Sequence, residues 1–165
     1  MAKQLKEVLS MCKVVLLCDD SGSMANTISE EGTDPFAPKK STRWLELKKL
    51  AADIIEFVTA TNNDGLEIYF MNRAEILNVK DMFGLQTVFS SDPSGGTPLI
   101  GSLDKIYKKY SNTLNSNQSL LIVVITDGEL ADGDRNDLFD KLQYVTQNGR
   151  VLEYMYHLRN VQMGW

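Results

Sequence analysis

The stretch Lys13-Val-Val-Leu-Leu-Cys-Asp-Asp-Ser-Gly-Ser-Met24 decides how this chain folds. Its apolar run, Val14 to Cys18, stops abruptly at Asp19. A run that short, bounded by a glycine-containing turn, predicts a strand buried on both faces. Three oxygen-bearing side chains, Asp19, Ser21 and Ser23, then follow at alternate positions. Alternate side chains of an extended turn point the same way, so the three oxygens can converge. Gly22 lets the backbone fold closely between the two serines. The carboxyl end of a strand in an open α/β sheet is also where ligands usually bind.

The same design recurs later. Leu120-Leu-Ile-Val-Val-Ile125 is the most apolar strand candidate, and it ends in Thr126-Asp127-Gly128-Glu129. Between the two lies Ser90-Ser-Asp-Pro-Ser-Gly-Gly-Thr97, a loop with paired glycines, Gly95 and Gly96, that can come close to the first turn. Thr97 before Pro98 predicts a helix start, with threonine at the N-cap and proline at the first helical position. That helix should run to about Tyr110 and bury Leu99, Leu103, Ile106 and Tyr107. The Thr97 hydroxyl has two tasks open to it, capping the helix or facing a cation.

The remaining segments fit around these. Ala25 to Ser41 is polar and aperiodic, with Gly32, Pro35 and Pro38, and reads as a long loop rimming the turn. Leu47, Leu50, Ala51, Ile54, Ile55 and Val58 form one stripe of a helix from about Thr42 to Thr61, with Trp44 anchoring its start. Gly65 suits the left-handed stop behind it. Leu66 to Met71 reads as the second strand. Ala74 to Val79 reads as a short edge strand and Asp81 to Phe89 as a brief helix. Asp134 to Asn148 is a further helix, stopped by Gly149. In the tail, Leu152 to Leu158 reads as helix and Asn160 to Gly164 as a closing strand. Strands alternating with helices imply a mainly parallel sheet covered on both faces, in one domain spanning 1–165.

The candidate site residues Asp19, Ser21, Ser23, Thr97 and Asp127 are all oxygen donors. Such a set suits a hard cation, Mg²⁺ or Mn²⁺ with Ca²⁺ less favoured, and disfavours zinc. Neutral hydroxyls satisfy the geometry without cancelling the metal's charge. An open coordination position would then attract a carboxylate from another molecule.

Composition narrows the partners. With 165 residues, 43% hydrophobic, the chain has ample material for a core. A formal charge of -5, with no basic cluster longer than two residues, argues against general nucleic-acid binding. Cys12 and Cys18, six residues apart on an extended run, would stand about 20 Å from each other, too far for a disulfide. Two buried thiols and no recognisable signal peptide or membrane span lead to the expectation of a cytoplasmic protein.

Asp19-x-Ser21-x-Ser23, Thr97 within Gly-Gly-Thr-Pro-Leu, and Asp127 within Val-Ile-Thr-Asp-Gly-Glu together resemble the metal-ion-dependent adhesion site of von Willebrand factor A domains. The wording around Thr97 is similar to intracellular members more than to integrin-type receptors. The resemblance covers about residues 13–164. It implies a Rossmann-like doubly wound sheet and a Mg²⁺ or Mn²⁺ ion contacted by the serines and the threonine, with the aspartates often acting through water. It also implies a partner protein whose Asp or Glu completes the shell. If Val161 to Gly164 is the fifth strand, the family's last strand and helix are lacking, and an exposed sheet edge would favour self-association.

Three enzymatic readings compete. Asp19 could serve as nucleophile in Mg²⁺-dependent phosphoryl transfer, but Ser21 stands where the second aspartate of the common Asp-x-Asp pattern belongs. A serine hydrolase would need His157, the sole histidine, as its base. The Ser94-Gly-Gly-Thr97 loop lacks the lysine of a phosphate-binding P-loop. The expectation is therefore a protein-binding module and not an enzyme. Glu129, Asp132 and Asp134, with Glu30, Glu31 and Asp34, read as a solvated acidic rim.

Overall fold

The computed structural model describes residues 10–28, 41–61, 65–111, 118–128, 130–146 and 151–158. Among these residues five strands form one sheet in the order β3-β2-β1-β4-β5. They are β1 (Cys12–Cys18), β2 (Leu66–Phe70), β3 (Ile76–Val79), β4 (Ser119–Thr126) and β5 (Val151–His157). β1 pairs in parallel with β2 and β4, and β4 in parallel with β5, while β3 runs antiparallel to β2. Among the described residues four α-helices flank the sheet: α1 (Arg43–Thr59), α2 (Met82–Val88), α3 (Leu99–Tyr110) and α4 (Arg135–Thr146). This is the Rossmann-like α/β class that the alternation of strands and helices implies.

The central strand shows why the apolar run is continuous. Val14, Leu16 and Cys18 face one core cluster with Leu47, Ala51 and Ile55 of α1. Val15 and Leu17 face the other, with Leu99, Leu103 and Ile106 of α3. Both faces of β1 are thus dry, and period-two alternation disappears from its sequence. Trp44 anchors α1 as expected, stacking edge-on against Phe89 with ring centroids 4.9 Å apart. Cys12 and Cys18 are buried free thiols.

The tail corrects the sequence reading. Residues 151–157 are a strand in register with β4, Leu120 opposite Val151 through Thr126 opposite His157, and not a helix. The alternation of Leu152, Tyr154 and Tyr156 was ambiguous over so short a span, and a buried neighbouring strand decided it. The expected closing strand at 160–164 lies outside the described residues, as do most of the loop 25–41 and the helix stop at Gly149.

From β1 the chain passes to β2 on one side, while β4 lies on the other. The carboxyl ends of β1 and β4 therefore flank the point where strand order reverses, the usual place for a ligand crevice. Asp19 follows the first of these ends and Asp127 the second.

Candidate metal centre

Past the end of β1 the chain makes a tight 3-10 turn over Gly22–Ala25. Asp19 is fully buried just before it. Its Oδ1 accepts from the Ser21 backbone N–H at 2.9 Å, and its Oδ2 from the Thr126 hydroxyl at 2.7 Å. The carboxylate thus ties the end of β1 to the end of β4 through neutral donors, and it forms no ion pair among the described residues. The Ser21 and Ser23 hydroxyl oxygens lie 2.9 Å apart, so the alternate serines converge as their spacing implies.

The glycine loop is fastened onto this turn. The Gly22 N–H donates to the Gly95 carbonyl at 3.1 Å, and the Ser94 N–H to the Asp20 carbonyl at 2.7 Å. Asp20, also fully buried, is held from the other side. Its Oδ1 accepts from the Asn72 backbone and side-chain N–H groups at 2.9 and 3.0 Å, and its Oδ2 from Arg73 Nε at 2.8 Å. Asn72 also donates to the Gly96 carbonyl at 2.8 Å. The Arg73 guanidinium lies over the Phe70 and Trp44 rings at 5.0 and 5.4 Å. Gly95 has φ +106°, and a Cβ there would stand 2.5 Å from Asn72 Oδ1, so only glycine fits.

The third loop brings Asp127. Its side chain is 1% exposed, and its Oδ2 accepts from Arg43 Nη1 at 2.8 Å. The same Nη1 donates to the Ser23 carbonyl at 3.3 Å, so one nitrogen of Arg43 bridges the first turn to Asp127. Asp127 Oδ1 is buried and has no hydrogen-bond partner among the described residues. The Ala131 N–H donates to the Thr97 carbonyl at 3.0 Å, which joins the third loop to the buried Thr97.

The start of α3 differs from expectation. Pro98 is the N-cap and the helix begins at Leu99. The Asp132 carboxylate accepts from the N–H groups of Ile100 and Gly101 at 3.2 and 2.7 Å and does the capping from outside the helix. Asp132 and Asp134 are exposed, as a solvated rim requires, and Asp134 also works locally: its Oδ1 accepts from the N–H groups of Asn136 and Asp137, while Asp137 accepts from the Asp134 N–H. That reciprocal pair is a capping box at the start of α4. Glu129, Glu30, Glu31 and Asp34 lie outside the described residues.

Hydrogen bonds therefore draw the turn of Asp19, Ser21 and Ser23, the loop of Thr97 and the loop of Asp127 to the same end of the sheet. Among the described residues no three His, Cys, Asp or Glu side chains cluster to hold a metal. The set here has two carboxylates and three hydroxyls, so its chemistry is that of a hard cation or of none. Sequence reasoning missed Arg43, Asn72, Arg73 and Thr126. Asn72-Arg73 follow β2, a neighbour of β1, after the single residue Met71, and carboxyl ends of adjacent parallel strands share one rim. That signal was available. The bridging of Arg43 to Asp127, 84 residues away, was not.

No family model and no curated protein matches this chain. Among solved structures it is similar to manganese-loaded TRAP protein of Plasmodium vivax, with a TM-score of 0.59 and 14% identity over 92% of this chain and 59% of that one. The adhesive tip pilin GBS104 of Group B Streptococcus agalactiae aligns with a TM-score of 0.45 and 13% identity over 81% and 53%. The chain thus spans little more than half the length of these structures. The TRAP likeness supports a von Willebrand factor A-like fold.

Proposed function

We propose that this chain is a metal-dependent protein-binding module. Asp19, Ser21, Ser23, Thr97 and Asp127 would hold a Mg²⁺ or Mn²⁺ ion, and an Asp or Glu of a partner protein would complete its shell. The observation that carries this is the buried Oδ1 of Asp127, without a hydrogen-bond partner among the described residues, beside a turn whose two serine hydroxyls converge. A buried carboxylate oxygen without a donor is costly unless a cation answers it. The donor set is all oxygen and mostly neutral, which suits a hard ion that keeps room for an acidic ligand. The fold's likeness to a manganese-loaded protein adds support for a divalent cation. When bound, the ion would supply a Lewis-acidic point for a carboxylate. The protein's own groups orient it: Asp19 through Thr126 and Ser21, the glycine loop through Asp20 and Asn72.

No described helix is long and apolar enough to cross a membrane. A cytoplasmic, reducing setting belongs to the same proposal and rests on the two buried free thiols.

Titration calorimetry with Mn²⁺ or Mg²⁺ tests the site. The wild type binds one ion, and Asp127→Ala and Asp19→Ala bind none while circular dichroism shows a retained fold. Unchanged affinity in both variants rejects the assignment. Capture of partner proteins with and without chelator tests the function. Loss of bound protein on chelation is expected, and indifference to chelator overturns it. Turnover of a generic aryl phosphate would replace this reading with a phosphoryl-transfer one.

A further inference from the structure

Arg43 occupies an odd position. It is the first residue of α1, where the helix dipole presents its positive end. A cation there is disfavoured, and no acidic residue of its own first turn pairs with it: Glu46 bonds Lys49 and Ser41 instead. The guanidinium is nearly buried, 13% exposed, and its Nε has no partner among the described residues. Its described bonds run from Nη1 to Asp127 Oδ2 and the Ser23 carbonyl. The buried cation is therefore held by the two loops that flank the candidate ion position.

Resting on the metal-binding reading above, we propose that Arg43 is a resident cation that competes with the divalent ion for Asp127 and sets the affinity of the site. Without metal it neutralises Asp127 and closes the turn onto the third loop. With metal present, two positive groups share one buried carboxylate, and their repulsion lowers affinity. A site so built is loaded only where the metal is abundant or where a partner's carboxylate arrives with it. The partner's negative charge compensates the second cation, which couples metal loading to partner binding.

The test is Mn²⁺ titration of the full chain by calorimetry, together with thermal unfolding in chelator and in Mn²⁺, for wild type, Arg43→Gln and Arg43→Lys. Loss of the positive charge beside Asp127 should give about tenfold tighter Mn²⁺ binding in Arg43→Gln. The same variant should unfold at lower temperature in chelator and gain more from Mn²⁺ than wild type does. Arg43→Lys keeps the charge and should bind Mn²⁺ like wild type. This variant also guards against a glutamine variant that fails to fold in chelator. If wild type binds Mn²⁺ and Arg43→Gln binds equally or more weakly, the competition is wrong and the metal site stands. The competition is also wrong if Arg43→Lys binds as tightly as Arg43→Gln. If no form binds Mn²⁺, the metal site itself is wrong and the competition falls with it.

Discussion

Two buried carboxylates stand toward opposite ends of the sheet, and the protein answers them differently. Glu67, near the amino end of β2, is 9% exposed and surrounded. It pairs with Lys13 Nζ at 2.9 Å and Lys109 Nζ at 3.2 Å, and accepts the Tyr110 hydroxyl in a short hydrogen bond. Lys109 in turn donates to the Tyr69 hydroxyl at 2.7 Å. Asp127, past the carboxyl end of β4, has one oxygen bonded to Arg43 and the other to nothing described. A saturated carboxylate fastens β1, β2 and α3 together. A half-answered one leaves an oxygen open, among the described residues, to the cation proposed above. Burial and charge alone do not separate the two; the count of committed donors does.

Exchange of each carboxylate for its amide is the strongest way to break this comparison. Asp127→Asn should weaken Mn²⁺ binding by about a hundredfold or more, since a charged ligand is lost, and cost about 3 kcal/mol in chelator, since the nearly buried Arg43 loses its counter-charge even though the amide oxygen still accepts from it. Glu67→Gln should lower unfolding free energy by about 2–3 kcal/mol, since two lysines lose their counter-charge in a partly buried setting. Its Mn²⁺ affinity should stay at the wild-type value. Denaturant unfolding and calorimetry on both variants measure this. A metal defect in Glu67→Gln would erase the distinction.

The pH dependence sharpens it. Burial opposes ionisation of Glu67, but the Tyr110 hydroxyl and the Lys13 and Lys109 ammonium groups outweigh burial and hold its carboxyl below the ordinary 4.5. Its stabilisation is therefore present above the unfolded value and lost as pH falls through the lowered folded value. Burial, with the Glu67 carboxylate beside it, pushes the Tyr110 hydroxyl up from 10.0. That contribution is present below the unfolded value and is lost as pH rises above it. Melting temperature in chelator should be flat between about pH 5 and 9 and fall on both sides. Glu67→Gln should flatten the acid limb most. An unaltered acid limb in that variant would mean that other carboxylates govern acid unfolding.

A smaller effect is expected at Gly95. Alanine there needs a strained φ and drives its Cβ into Asn72. The loss should be about 1–3 kcal/mol, with weaker Mn²⁺ binding because the Thr97 loop loses its fastening. Alanine tolerated without change in either quantity would show that the loop is not held by this contact.

The parts of this layout that a strand carries by itself were legible in the sequence. Val14–Cys18 and Leu120–Ile125 announced two buried strands, and Asp19 and Asp127 announced their ends. The stripe from Leu47 to Val58 announced α1. What was not legible depends on which loops meet. Nothing local to Arg43 points to Asp127, which it meets 84 residues on, and nothing local to Glu67 points to Lys13 and Tyr110, which close over it. The tail misled because residues 151–157 lack both a cap and a long period, and only pairing with β4 makes them a strand.

Thr97 carries the finest version of the contrast, because the sequence leaves its hydroxyl two tasks and the structure gives the cap to another residue. As an N-cap it would be worth about 1 kcal/mol to helix α3, and its loss would show as stability. The cap is instead supplied by Asp132, through bonds to the Ile100 and Gly101 N–H groups. Thr97→Val should therefore change unfolding free energy by less than about 0.5 kcal/mol while lowering Mn²⁺ affinity several-fold. Asp132→Ala should do the reverse, costing about 1 kcal/mol with affinity nearly kept. Paired denaturant melts and Mn²⁺ titrations decide it. If Thr97→Val loses stability and keeps affinity, the hydroxyl is a cap after all, and the ion would have to be held by the Asp19 turn and Asp127 alone.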